Sequence, residues 1–201
     1  MVKLNACCRP LTLTAVFAAG LMAGIGVQSW CIGQSAASAC VLQTGPGAEE
    51  QVRKLKLELP PVSTPSNTLV NAVRVGDLLF VSGTTPGDVD GKAVRGRLGM
   101  DLDVKAGRRA ARQVGLQILS VVKAELGSLD RIQRVVRTFG MVNAGPDFKQ
   151  HPQVINGFSD LMVEVFGPEA GKGARCAVGM SSLPGGAPVE VEAVFQVRKE
   201  G

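Results

Sequence analysis

Aromatic and titratable chemistry is scarce in this chain. Its 201 residues include no tyrosine, one tryptophan, seven phenylalanines and one histidine. The tryptophan, Trp30, lies near the N-terminus. The rest of the chain therefore offers few rings on which nucleotide bases could stack. A single histidine, His151, removes the usual zinc ligand sets and the Ser–His or Cys–His nucleophile pairs. Four of the five cysteines (Cys7, Cys8, Cys31 and Cys40) crowd the N-terminal segment, leaving Cys176 alone in the remainder. That distribution excludes a disulfide framework and a Cys/His metal cluster, and Cys176 reads as a small buried apolar residue. Excess charge is also small. The net charge is +5, and without Lys3 and Arg9 there are 20 basic against 17 acidic residues, a surplus of +3. The clusters Arg108-Arg109-Arg112 and Arg131-Arg134-Arg137 read as solvated faces, and no nucleic-acid partner is expected.

The first 40 residues do not resemble part of a domain. Lys3 and Arg9 are their only charges, Leu11 to Trp30 is nearly all apolar but interrupted by Gly, and Ala37-Ser38-Ala39 follows. A basic start, an apolar middle and a small-residue exit describe a targeting peptide over 1–40, removed on export to a periplasmic or secreted location. An organelle transit sequence, an uncleaved anchor, and a cytoplasmic protein with a wrong start site stay open. No membrane is expected to hold the mature domain. Residues 41–56 read as a linker, and a compact domain is expected over 57–198.

Within that domain, Leu69–Val75 and Leu78–Ser82 predict two strands about a Gly76-Asp77 turn. Residues 85–97, rich in Gly and Asp, read as loop. Asp103 is a suitable N-cap, and Val104, Ala111, Val114, Ile118, Val121, Val122 and Leu126 then recur at helical spacing until Gly127. Ile132–Val142 predicts a strand. Asp147 is expected to open a second helix with Pro152 in its first turn, an apolar face of Val154, Phe158, Leu161, Met162 and Val165, and a stop at Gly167-Pro168. Ala174–Leu183 and Val189–Val197 complete a β-β-α-β-α-β-β order, an α+β sandwich. Two helices cover only one sheet face. The other is expected to be covered by further copies of the chain.

Arg175 begins one of the last two strands, Glu190 begins the other, and Leu183-Pro184-Gly185-Gly186 lies between them. Two strands joined this way are expected to pair antiparallel, with the cation and the carboxylate on one face. A guanidinium can hold a carboxylate bidentately, and a nearby Glu can move a proton or orient water. The competing reading is an exposed ion pair worth under about 1 kcal/mol.

Four blocks carry a family resemblance: Leu78-Leu79-Phe80-Val81-Ser82-Gly83; Ala110-Ala111 through Leu126-Gly127; Val135-Val136 to Asn143 with Asp147-Phe148 and Val154-Ile155-Asn156-Gly157; and Ala174-Arg175 with Leu183-Pro184 and Val189 to Ala193. In this order they resemble the RidA/YjgF family of reactive enamine/imine deaminases, in a divergent branch. The resemblance implies a chorismate-mutase-like fold and a homotrimer with sites between subunits. It implies hydrolysis of enamines or imines to 2-keto acids and ammonia, without cofactor or metal. Arg175 would bind the substrate carboxylate, and Glu190 would position water or relay a proton. Backbone amides around Ser82, Gly83 and Thr84 would hold an oxygen, and Asn156 and Ala177 would line the cleft. The resemblance departs at Thr84, where Gln is common; at Leu69, where Tyr often lines the pocket; at Gly173, where Pro is common; and at Ala177, which stands for Cys. A non-catalytic, small-carboxylate-binding or chaperone-like trimer of the same fold is the alternative.

Overall fold

The computed structural model of this chain describes residues 46–64, 67–89 and 91–199. The expected targeting peptide lies outside them. The elements are α1 (Ala48–Lys54), β1 (Ala72–Val75), β2 (Leu78–Thr84), β3 (Asp88–Val89), β4 (Lys92–Ala93), α2 (Val104–Leu126), β5 (Ile132–Asn143), α3 (His151–Ala170), β6 (Ala174–Met180) and β7 (Val189–Val197).

Local chemistry sets most of the boundaries. Gly76 takes a positive φ of 61°, which lets β1 turn straight into β2, with Val75 opposite Leu78. Asp103 caps α2 by accepting a hydrogen bond from the Ala106 N–H at 2.7 Å, and Gly127 ends the helix in the left-handed region. The second helix starts later than Asp147 suggests. Phe148 N–H donates to the Gly145 carbonyl in a turn, and α3 begins at His151 with Pro152 in its first turn. A proline lacking an N–H fits there without losing a helical bond. Gly167-Pro168 stops this helix as expected: Gly167 leaves helical geometry, and Pro168 opens a separate short turn that runs to Ala170. The expected loop over 85–97 contains the short β3–β4 ribbon.

Residues 48–54, inside the expected linker, form a helix that belongs to the domain. Ala48 and Val52 are buried. Glu49 accepts from the Leu129 N–H at 3.0 Å and from Lys123 Nζ at 2.7 Å. Burial works to raise the Glu49 carboxyl, but the Leu129 amide, Lys123 and Arg53 together hold it below the usual range.

The main sheet has the order β1-β2-β7-β5-β6. Only β5 and β6 run parallel, and every other neighbouring pair is antiparallel. The expected hairpin between the last two strands does not form. After β5 the chain crosses over through α3 and must return to the sheet parallel to β5, at its free edge. The segment after β6 then crosses the end of β5 to reach β7. Asn143 holds that crossing, its N–H donating to the Pro188 carbonyl at 2.9 Å and its side-chain amide to that of Ala187 at 3.2 Å.

Helices α2 and α3 lie on one face of the sheet. Val189, Val191, Ala193, Phe195 and Val197 of β7 point into the core there, with Leu79 and Val81 of β2. The other face carries Val73, Phe80 and Val194 in one cross-strand row, with Phe80 42% and Val73 49% exposed. Among the described residues no helix is long and apolar enough to cross a membrane.

Candidate functional site

Arg175 stands on the edge strand β6, directly opposite Thr138 of β5. It turns toward the helices. Its Nη1 donates to Asn156 Oδ1 at 2.7 Å and to Ser159 Oγ at 3.1 Å. Those two residues sit three apart on α3 and so share a helix face. One nitrogen is thereby pinned while the other guanidinium N–H groups remain available for an anion. Beside it lies a cleft of about 160 Å³ lined by Thr138, Ser159, Met162, Lys172 and Arg175. Ala177, on the same strand face as Arg175, packs against the core. Cys176 projects to the open face instead and is exposed. The expectation that Cys176 is buried is therefore corrected: on an edge strand the uncovered face meets solvent.

Glu190 is elsewhere. It pairs with Met141, whereas Arg175 pairs with Thr138, and β5 separates the two strands. Thr138 also pairs with Ala193, three positions along β7 from Glu190. Strand alternation therefore puts Arg175 on the helix-covered face and Glu190 on the open face, with Cα atoms roughly 14 Å apart from strand spacing and rise. The expected same-face pair is not formed within one chain, and the inter-strand ion pair fails with it. Arg137 lies 3.9 Å from Glu192 on β7.

Glu190 has its own surroundings. Between Val81 and Thr84 the β2–β7 register slips by one residue, a bulge that carries Ser82 and Gly83. A Cβ at position 83 would run into Glu190 Oε1, so glycine lets the carboxyl lie against the backbone. Burial raises the Glu190 carboxyl above the usual carboxylate range. Of the three expected backbone amides, that of Ser82 is already engaged, donating to the Asn71 carbonyl at 2.9 Å. The Ser82 hydroxyl donates to Val70 and that of Thr84 to Ser82, so both tie down the strand.

The structure thus brings together Arg175, Asn156 and Ala177 in one place, and Glu190, Gly83 and Thr84 in another. Ser159 was not singled out from the sequence, although its spacing from Asn156 was a usable signal. Thr138 needed the strand register. A larger cleft, of about 450 Å³ around Met100, Gly145 and Phe148, contains none of the expected site residues. The smaller one is the better candidate because a fixed cation opens onto it. Of the basic cluster on α2, Arg108 pairs with Asp160, and Arg112 binds Glu164 bidentately at 3.1 and 2.7 Å. Among the described residues no three metal-binding side chains converge.

Comparison with known proteins gives a consistent picture. The model of a family described as YjgF/chorismate mutase-like, and provisionally as endoribonuclease, matches residues 49–188. The Trypanosoma cruzi protein TCP17 is 43% identical over 146 residues, covering 73% of this chain and 91% of that one. An Agrobacterium tumefaciens protein of unknown function, Atu1372, has a crystal structure with 40% identity and a TM-score of 0.68, covering 75% of this chain and 92% of its own. A Shewanella oneidensis protein named provisionally as an endoribonuclease is 28% identical with a TM-score of 0.71, covering 76% of this chain and all of its own.

Proposed function

The chain belongs to the RidA/YjgF, chorismate-mutase-like family, and from that premise we propose that it is a cofactor-independent enamine/imine deaminase. The observation that carries this reading is the guanidinium of Arg175, held by Asn156 and Ser159 at the mouth of a small cleft. A positioned guanidinium binds a carboxylate by paired, charge-assisted hydrogen bonds. In the reaction, water adds its oxygen to C2 of a 2-imino acid while Glu190 takes a proton from it. That proton returns to the imine nitrogen to give a carbinolamine; the proton of the new hydroxyl then passes through Glu190 to the amino group, the C–N bond breaks, and the products are a 2-keto acid and ammonia.

Arg175 and Glu190 of one chain are too far apart to share a substrate. The proposal therefore includes a homotrimer in which the open face of one subunit brings Glu190 to the exposed β6 edge of the next. The same separation favours a second reading, in which the protein binds small carboxylates and turns nothing over.

The test is a coupled assay. A threonine dehydratase generates the enamine, and 2-keto acid release is followed with wild type and with Arg175→Ala. Wild type should accelerate release. The variant should lose about 100-fold or more in kcat/KM, since charge-assisted bonds of this kind contribute about 3 kcal/mol. Turnover retained by the variant would sink the mechanism. Binding of 2-ketobutyrate without acceleration would favour the second reading. RNA cleavage that survives Arg175→Ala would instead favour the activity for which some relatives are named.

A further inference from the structure

The cleft beside Arg175 contains a polar group with no partner. Thr138 faces Arg175 across the β5–β6 register, lines the cleft, and is only 4% exposed. Its hydroxyl makes no hydrogen bond to any described residue, and it is not sealed into the core. The neighbouring Ser159 hydroxyl is already engaged by Arg175. What remains accessible of Thr138 opens onto the cleft, so a ligand group can take the place of water at its hydroxyl.

We propose that Thr138 is a further ligand-binding residue, whose hydroxyl pairs with the heteroatom at C2 of a small acid held by Arg175. The cleft would thereby select 2-oxo and 2-imino acids over plain carboxylates. This rests on reading Arg175 as the carboxylate-binding residue. Three features support it. Directly paired residues on adjacent strands are about 4.8 Å apart, so the guanidinium and the hydroxyl can meet adjacent atoms of one short ligand. A hydroxyl both donates and accepts, so it can serve a 2-oxo oxygen and an imine nitrogen in turn. A cleft of about 160 Å³ with Met162 as an apolar wall leaves room for a short aliphatic side chain and not for a bulky one.

The experiment is calorimetric titration of the full chain with 2-ketobutyrate and with butyrate, which differ at C2. Wild type should bind 2-ketobutyrate more tightly. Thr138→Val keeps the shape and the β-branch and should lower 2-ketobutyrate affinity roughly three- to tenfold while leaving butyrate unchanged. Thr138→Ser keeps the hydroxyl and should retain the preference, and thermal unfolding of both variants reports on folding. Equal affinity of wild type for the two acids, or an equal effect of Thr138→Val on both, overturns the assignment. Binding of neither acid by wild type overturns the carboxylate site and this inference together. Selective binding without deamination overturns the deaminase reading alone and leaves Thr138 in place.

Discussion

Arg175 and Glu190 differ in what holds them. Arg175 is oriented by two side chains that lie one turn apart on α3, so its direction is set by α3 and not by its own strand. Glu190 is oriented by an absence, the missing Cβ of Gly83. Its carboxyl is raised above the usual range by burial alone, with no cation offsetting it. If Glu190 acts as the base, it must be ionised, so activity should rise with pH along a limb whose midpoint lies above that of an ordinary glutamate. Glu190→Gln should flatten that limb and lower kcat, while 2-ketobutyrate binding in the Arg175 cleft persists. A pH–rate profile for both proteins checks this, and an unshifted limb in the variant would remove Glu190 from the reaction. The sign for stability is opposite. A carboxyl raised in the fold binds more protons there than in the unfolded chain, so its contribution declines as pH rises from the ordinary range through the raised value.

At the scale of elements, the site depends on how closely α3 approaches its neighbours. Gly157 lies where a Cβ would meet the backbone carbonyl of Arg108, so α2 and α3 cross almost in backbone contact. Gly107 and Gly115 on α2 make room for Val154 and Leu161 in the same way. That crossing sets the height of Asn156 and Ser159 above the sheet, and hence where Arg175 can point. Gly157→Ala is expected to cost about 2–3 kcal/mol, as overpacking of a rigid contact does. Denaturant unfolding measures the loss. The variant should also weaken 2-ketobutyrate binding, because Asn156 is the adjacent residue. Both helices were legible as amphipathic runs with caps, since those signals repeat locally along the chain. Their glycine contacts were not, because a glycine in a helix does not state which neighbour it admits.

For the molecule as a whole, the open sheet face is the largest unexplained feature. Val73, Phe80 and Val194 form a cross-strand apolar row that meets Arg137 on β5, and Phe139 and Met141 lie further along β5, opposite Glu192 and Glu190. Apolar surface of this kind is usually an association surface. Wild type is expected to sediment as a trimer. Phe80→Asp, at the centre of the row, should shift it to monomer while far-UV circular dichroism stays unchanged. Deamination should fall with trimer content, since each site would draw on two subunits. A monomeric wild type, or full turnover by a dissociated variant, would contradict this arrangement.

The sequence by itself determined the order of the five main strands and two long helices, the caps of α2, the first hairpin and the resemblance that marks the family. Each is written in short-range spacing or in residues met one after another. Strand neighbours were a different matter. The chain places Arg175 and Glu190 on consecutive strands, and consecutive strands often pair, yet β5 lies between them. That outcome depends on the α3 crossover, which must return the chain parallel to β5, and on the segment after β6 crossing the end of β5 under the hold of Asn143. Which side chains share a face then follows from a register that closes only in the folded sheet. It is the tertiary structure, therefore, that separated the two expected partners and placed Thr138 opposite Arg175.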